Sequence, residues 1–237
     1  MGNPSEKIQA KLFKRENHPY RILEREIEHH LAPHHVFLDA GCGRSAEVLG
    51  RFRGKAGCLV GIDLVDFDPG IANGDLKLMK GNLTNIQLGA GSVDLVSSRS
   101  VLEHLSYPLR VYQELFRILK PGGHFIALTP NLWDYASLLS KVIPNCLHPR
   151  IVRMTEGRDE KDTFPAYYRS NTSRSIRQLA RQSGFKVVSV KYLGQYPSYF
   201  RFNRGLFLVA TAYEKLISRY EFLKYLRGWL LAVLRKP

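Results

Sequence analysis

Asp39-Ala40-Gly41-Cys42-Gly43, Asp63 and Asn82 are the residues whose types and spacing suit a nucleotide-derived ligand. Two glycines one residue apart let the backbone turn sharply and approach a ligand closely, because neither carries a Cβ. Gly41-x-Gly43-x-x-Ala46 also satisfies a dinucleotide-binding pattern, in which a helix N-terminus receives a pyrophosphate. Asp39 stands two residues ahead of the first glycine, where a carboxylate suits a cationic amino acid moiety better than a pyrophosphate. His104 has an intrinsic proton affinity suited to acid–base work near neutrality. The other reading of His104 is a capping side chain that packs behind the site. Tyr167, Tyr168 and Arg169 either line an acceptor pocket or pack against neighbouring helices.

These residues need a scaffold, and the order of elements supplies one. Pro19 followed by Ile22, Leu23, Ile27 and Leu31 reads as an amphipathic helix ending near Pro33. Val36-Phe37-Leu38 is a first strand, broken by the glycine turn, and Ala46-Glu47-Val48-Leu49 reads as a helix. Cys58 to Ile62 makes a second strand ending on Asp63, Leu76 to Met79 a third ending on Gly81-Asn82, and Val93 to Ser97 a fourth. Helix 108–119 stops at Lys120-Pro121-Gly122-Gly123, ahead of a fifth strand, His124 to Thr129. Helix 173–183, capped by Gly184, leads to a sixth strand, Phe185 to Val190, and Trp229 to Leu234 fits a seventh. Strands separated by helix-sized crossovers form a parallel sheet covered on both faces. The expected class is therefore α/β, a doubly wound, mostly parallel seven-stranded sheet with helical insertions. Residues 1–237 read as one domain, with an N-terminal helical segment at 1–33. Segments 131–171 and 194–228 interrupt the rhythm as substrate or lid insertions.

Ligands of such sheets bind at the carboxyl ends of the strands, which is where Asp39, Asp63 and Asn82 fall. The motifs together resemble the Rossmann-like S-adenosylmethionine-dependent methyltransferases, and the small-molecule and ubiquinone-biosynthesis O-methyltransferases among them. The resemblance runs from Pro19 to the C-terminus. It is carried by the DxGxG-like turn with Ser45 at the place of a third glycine, Asp63, Val93-Asp94-Leu95-Val96, Val101-Leu102-Glu103-His104-Leu105 and Leu119-Lys120-Pro121-Gly122-Gly123.

The resemblance implies S-adenosyl-L-methionine as cofactor, with the ribose on Asp63 and the Gly41-Cys42-Gly43 turn beneath it. It implies the adenine amino group on Asn82, where many relatives have Asp, and the adenine ring between Leu64 and Leu83. It places Ser98 and Arg99 beside the methionine portion. Arg21, in His18-Pro19-Tyr20-Arg21, matches a Pro-x-Arg pattern that binds the cofactor carboxylate in ubiquinone-pathway relatives. His104 lies in the segment that faces the transferable methyl. Some relatives place a divalent metal beside the Glu-His pair with an acid three residues before the Glu. That position is Ser100 here, so no metal is expected.

Composition bounds the partners. The chain has 237 residues and a net charge of +14; residues 1–120 contribute +2 of it and residues 121–237 contribute +12. Such a balance attracts phosphorylated, lipid-linked or nucleic-acid partners, or an anionic membrane surface, unless it is a solvated cationic face. In segment 205–227 the residues Leu206, Val209, Ala210, Tyr213, Leu216, Ile217 and Tyr220 form the apolar side of a helix, with Glu214, Lys215, Arg219, Lys224 and Arg227 on the other. That pattern fits peripheral membrane contact, a lid, a dimer contact or core packing. Arg150, Arg153, Arg158, Lys161, Arg169, Arg174, Arg177 and Arg181 add to the basic side and favour a phosphorylated or lipid-linked acceptor.

RNA methylation is disfavoured, because Ser97-Ser98-Arg99-Ser100 stands where amino-methylating enzymes carry an Asn-Pro-Pro-Tyr-like motif. An oxygen acceptor follows by elimination. Cys42, Cys58 and Cys146 form no CxxC pair, and no apolar run reaches the ~20 residues of a membrane span. A cytoplasmic protein with peripheral membrane contact through 205–227 is expected. A methyltransferase acting on a small metabolite, glycan or lipid-linked acceptor is the reading carried forward. A non-catalytic cofactor-binding module, an RNA methyltransferase and an NAD(P)-dependent oxidoreductase are its rivals.

Overall fold

The structure, a computed structural model, describes residues 12–135, 137–138, 164–197, 200 and 203–237. Cys146, Arg150, Arg153, Arg158, Lys161 and most of the expected insertion 131–171 lie outside the described residues.

Seven strands form one sheet: β1 (Val36–Ala40), β2 (Cys58–Asp63), β3 (Leu76–Lys80), β4 (Val93–Arg99), β5 (Leu119–Pro130), β6 (Lys186–Leu193) and β7 (Trp229–Arg235), in the order β3-β2-β1-β4-β5-β7-β6. β3, β2, β1, β4 and β5 pair in parallel. The apolar runs of β1, β2 and β4 are buried along almost their whole length, as parallel strands covered on both faces must be. β7 runs against β5. The Gly122 N–H donates to the Lys236 carbonyl and the Lys236 N–H to the Gly123 carbonyl at 2.9 Å, while the Asn131 N–H donates to the Gly228 carbonyl at 2.8 Å. The start of β5 thus meets the end of β7, so the sheet is mixed rather than wholly parallel.

Helix α1 (Pro19–His30) begins on its proline and buries Leu23 and Ile27. The expected helix after the glycine turn forms one residue later, as the single turn α2 (Glu47–Gly50), because Ala46 takes a left-handed conformation with φ 45°. α3 (Pro108–Ile118) buries Val111, Tyr112, Leu115 and Ile118. The chain enters β5 directly at Leu119, earlier than the His124 expected, because Leu119 pairs with Val93 before a register shift. α4 (Ser173–Gln182) starts with a reciprocal Thr172–Ser175 capping box. Gly184 follows with φ 93°, its Cα against the Phe116 ring. The last helix is α5 (Arg204–Arg219), followed by a 3-10 segment Glu221–Leu226.

The chain falls into two compact units. One comprises Met1–Ile22, Pro130–Pro165 and Tyr192–Trp229; the other, which holds most of the sheet, comprises Leu23–Thr129, Ala166–Lys191 and Leu230–Pro237. Residues 131–165 and 194–228 belong to the first and residues 166–171 to the second.

Within the first unit, α5 turns Phe207, Ala210, Thr211, Glu214 and Ile217 inward. This corrects the expected amphipathic register. Glu214, placed by its charge on the polar side, is buried, while Leu206, Val209 and Leu216 face solvent. A polar network explains the inversion. Glu214 Oε2 accepts the Gln195 N–H at 3.3 Å, and Gln195 Nε2 donates to Asp134 Oδ1 at 2.9 Å. Asn131 Nδ2 donates to the carbonyls of Tyr225 and Arg227 at 2.7 and 2.8 Å.

Burial pushes the Glu214 carboxyl up to about 8, with the nearby Asp134 charge adding to it and hydrogen bonds from Gln195 and Tyr135 opposing it. A group whose pKa is higher folded than unfolded binds its proton more tightly in the native state. Its favourable contribution is therefore full below the unfolded pKa and drains away as pH rises toward the folded one. Glu214→Gln should accordingly raise the melting temperature, with a gap to wild type that widens between about pH 5 and about pH 8. Thermal melts across that range check it, and a pH-independent gap would contradict the assignment.

Candidate active site

The strand order reverses between β1 and β4, which both neighbour each other and lead outward in opposite directions. Such a reversal opens a crevice at the carboxyl ends of the strands. Asp39 lies opposite Gly61 in β2 and Ser97 in β4, at the floor of this reversal. Its carboxylate is buried, and the Ser97 hydroxyl donates to Oδ1 at 2.5 Å. The Ser98 hydroxyl donates to the Ala40 carbonyl at 2.9 Å and ties β4 to β1 one residue on.

The turn after β1 is shaped by its two glycines. Gly41 has φ 83°, and a Cβ there would meet Val101 Cγ2 at 2.2 Å. Gly43 has φ 71°, and a Cβ there would meet nothing within 4 Å, so its Cα presents an open backbone face. The Gly43 N–H donates to Asp63 Oδ2 at 2.7 Å, and Asp63 Oδ1 accepts the N–H groups of Leu64 and Val65 at 2.7 and 3.3 Å. Asp63 therefore clasps the glycine turn from the end of β2. Between them Cys42 is buried beneath the turn, where burial and the charges of Asp39 and Asp63 push its thiol well above the ordinary range. A neutral, buried thiol packs rather than reacts.

Leu64, 54% exposed, offers an apolar surface at the tip of β2. Leu83 is partly buried against the core after β3. Asn82 is exposed, but its amide oxygen already accepts the Thr84 N–H at 2.9 Å and the Thr84 hydroxyl at 3.0 Å. Asn82 thus closes a local turn through the same oxygen that was expected to meet adenine. Arg99 ends β4 and donates to Glu47 Oε2 of α2 at 2.8 Å. The Arg99 and Arg51 guanidinium groups hold the Glu47 carboxyl below its usual range. Arg21 lies in the first turn of α1, in the unit that contains Met1–Ile22.

Val101, packed on Gly41, leads straight into the 3-10 turn Leu102–His104. The His104 side chain is partly exposed, with Nε2 4.0 Å from Glu103 Oε1. Glu103 is buried, accepts the Thr129 hydroxyl at 3.1 Å, and the Asn171 amide donates to that same hydroxyl at 2.7 Å. The Glu103 carbonyl accepts the N–H groups of Tyr167 and Tyr168 at 2.7 and 3.1 Å, and Arg169 Nη1 donates to the Ser106 carbonyl at 2.6 Å. The fold thus brings the Tyr167–Arg169 loop to the turn carrying His104, more than 60 residues earlier in the chain. Tyr167 keeps an exposed ring, beneath the Arg169 guanidinium at 5.4 Å. Ser100 takes φ 57°. Among the described residues, no three His, Cys, Asp or Glu side chains converge as a metal would need.

Ser97, Glu103, Thr129, Asn171 and Glu47 had escaped sequence reasoning. Ser97 and Glu103 left a trace there, as a polar residue directly after the run Val93–Val96 and one inside the run Leu102–Leu105. The others acquire meaning only through partners far along the chain.

The residues at the β1–β2 ends fit the cofactor that the resemblance implies. They offer a buried carboxylate for a cationic group, an open glycine face, a second carboxylate at the strand end and an exposed leucine for a flat ring.

Comparison with known proteins agrees. The profile of a family described as a methyltransferase domain matches residues 12–190. A demethylmenaquinone methyltransferase of Chlamydia trachomatis is 31% identical over 110 residues, 45% of each chain. A Mycolicibacterium smegmatis protein named "probable S-adenosylmethionine-dependent methyltransferase" is 28% identical over 173 residues, 71% of this chain and 58% of its own. The chain thus spans about half the length of the curated relatives it matches. Among solved structures, an S-adenosylmethionine-dependent methyltransferase from Mesorhizobium loti superposes with a TM-score of 0.62 at 15% identity, covering 93% of this chain and 99% of that one. With a matching profile over most of its length and the fold to go with it, the chain belongs to the methyltransferase-domain family and has the Rossmann-like fold of S-adenosylmethionine-dependent methyltransferases.

Proposed function

We propose that the chain methylates a hydroxyl of a small or lipid-linked acceptor, using S-adenosylmethionine as donor. The observation that carries this reading is the clasp of Asp63 on Gly43 beside the buried Asp39, in the crevice where the strand order reverses. Bound S-adenosylmethionine supplies an electrophilic methyl on a sulfonium. Asp39 balances the cationic amino group, Asp63 accepts from the ribose hydroxyls, and Leu64 and Leu83 flank the adenine. With its oxygen held by Thr84, Asn82 faces the adenine edge through its amide nitrogen or its backbone. Ser98 and Arg99 brace the floor and wall beside the methionine chain.

On the acceptor side, His104 would take the hydroxyl proton as the oxygen–methyl bond forms and the methyl–sulfur bond breaks with its electron pair left on the departing thioether, and Tyr167, Tyr168 and Arg169 would line the entry. Orientation alone accounts for much of the rate, since effective molarities on the order of 10⁵ M or more are available to well-aligned reactants. The quinone-related name of the Chlamydia relative makes an aromatic or isoprenoid acceptor the first to try.

Calorimetry with S-adenosylhomocysteine and with NADH separates this from the oxidoreductase reading. Binding of the former and silence with the latter are expected. Methyl-labelled donor incubated with soluble and lipid fractions then identifies the acceptor, and silence across all fractions would favour a non-catalytic binding module.

Asp39 sets a pH dependence. Burial pushes its carboxyl up to about 6, opposed by the Ser97 hydrogen bond and the Arg99 charge and reinforced by Asp63. Its proton is bound more tightly in the folded chain, so the stability it contributes is full below its unfolded pKa and is lost as pH rises through about 6. Ligand binding runs the other way, because only the carboxylate attracts an ammonium. S-adenosylhomocysteine affinity should therefore fall by about tenfold for each pH unit below about 6. In Asp39→Asn that dependence should vanish along with most of the affinity, while the melting temperature at neutral pH holds or rises. A wild-type affinity flat across this range would remove Asp39 from the amino-group site.

A further inference from the structure

α5 carries its polarity in an unusual way for a helix on the outside of a protein. Its one acid, Glu214, is 1% exposed, and its inward face is completed by Phe207, Ala210 and Ile217. Outward it presents Leu206, Val209, Leu216 and, at its end, Tyr220, with Val209 69% exposed. The 3-10 segment that follows adds Phe222, 74% exposed, and Tyr225. Basic residues border this apolar surface. Arg204 opens the helix and Arg219 ends it, while Lys215 donates to the Leu12 carbonyl at 2.6 Å, and no acid shares the outward face of α5. The single acid of the next segment, Glu221, is neutralised by Lys224 at 3.1 Å and Arg227 at 2.9 Å.

An aqueous surface helix pairs its charges with polar neighbours and hides its leucines. A helix whose outer face combines branched apolar side chains, aromatics and cations without acids has the composition of an interfacial helix on an anionic bilayer. Tyrosines at its rim suit the headgroup layer, where a ring is half in hydrocarbon and its hydroxyl in water.

We propose that the outer face of α5 and of Glu221–Leu226 docks on an anionic lipid surface, with Val209, Leu216 and Phe222 inserted and Arg204 and Arg219 on the headgroups. Charge complementarity selects this occupant. A second copy of the chain would set these cations against their own equivalents. A nucleic acid would satisfy the cations and leave the valine, leucine and phenylalanine against a hydrated sugar–phosphate backbone. The inference stands apart from the methyl-transfer reading, since it needs neither cofactor nor acceptor.

Co-sedimentation of the full chain tests it, with extruded vesicles of phosphatidylcholine alone and of phosphatidylcholine containing phosphatidylglycerol as a third of the lipid. The wild type is expected to partition onto the anionic vesicles at least about tenfold more than onto the neutral ones, and to be released as salt rises toward about 0.5 M. Two double variants divide the contributions: Val209→Glu with Leu216→Glu removes insertion, and Arg204→Glu with Arg219→Glu removes attraction. Each should lower partition by about tenfold or more. All four positions are exposed, so circular dichroism and the melting temperature should stay those of the wild type. Equal partition onto both vesicle types, or variants that bind as well as the wild type, would overturn the proposal. So would light scattering that shows a dimer which Val209→Glu with Leu216→Glu dissociates, since the face would then belong to a second copy.

Discussion

Gly41→Ala is expected to lower stability by about 2–4 kcal/mol, the sum of a left-handed backbone penalty and the overpacking of a Cβ that has no room. Val101 Cγ2 lies 2.2 Å from where that Cβ would stand, and φ at this residue is 83°. In a chain of this size the loss corresponds to a drop in melting temperature of roughly 5–15 °C. Relief of the clash must push Val101 away from the turn, and with it the start of the Leu102–His104 segment. S-adenosylhomocysteine affinity should therefore fall together with stability.

Gly43→Ala separates the two effects. Its φ of 71° still carries the backbone penalty, but nothing lies within 4 Å of the new methyl. A stability loss of only about 1–2 kcal/mol is expected, because no packing is disturbed. The methyl projects into the open face where the cofactor is proposed to lie, so affinity should drop by at least about tenfold, one rotated or displaced contact being worth that much. Scanning fluorimetry and calorimetry on the two variants read both quantities. A Gly43→Ala protein that binds as tightly as the wild type would place the ligand elsewhere.

The second large effect belongs to Asp63. Loss of two charge-assisted hydrogen bonds to a ribose, each worth about 1.5–3 kcal/mol, predicts for Asp63→Ala an affinity lower by roughly a hundredfold or more. The side chain also accepts three backbone N–H groups, from Gly43, Leu64 and Val65. Part of the loss is therefore loosening of the turn itself. Asp63→Asn distinguishes the contributions. An amide keeps one acceptor oxygen for the turn but loses the charge and one of the two acceptors. The amide nitrogen cannot accept from Gly43 or from Leu64 and Val65, so the melting temperature should fall too, by less than in Asp63→Ala, while affinity falls by an intermediate amount. Unchanged affinity in Asp63→Ala would withdraw the residue from the site, and an equal loss in both variants would assign its role to charge alone.

What lies close along the chain was legible from the residues themselves. The apolar runs of β1, β2 and β4, each followed by a break at glycine or a polar residue, carry their own strand signal, because burial on both faces tolerates little else. Asp39, Gly41, Gly43 and Asp63 sit at strand ends by chain position alone, and a parallel sheet brings such ends to one edge. The convergence of these four residues could therefore be foreseen before any contact was known.

The tertiary structure decided whatever depended on partners distant in sequence. Ser97 became the hydrogen-bond partner of Asp39 only through the β1–β4 register, across 58 residues. The Tyr167–Arg169 loop reached His104 through the Glu103 carbonyl, a backbone acceptor that no residue type announces. Asn82 turned its oxygen to its neighbour Thr84, a local choice that competes with a ligand on nearly equal terms. β7 runs against β5, a direction that an apolar run cannot encode.

α5 shows the limit most clearly. Both of its faces carry apolar residues, so periodicity alone could not say which was inward, and the charge of Glu214 pointed to the wrong one. A buried acceptor network around Gln195 and Asp134 outweighs the cost of burying that carboxyl, which stays protonated, and turns Val209 and Leu216 outward. Pattern along the chain brings Asp39, Gly41, Gly43 and Asp63 to one edge of the sheet, because strand ends converge by geometry. Which face of a two-sided helix meets the core is settled by long-range hydrogen bonds, and these exist only once the chain has folded.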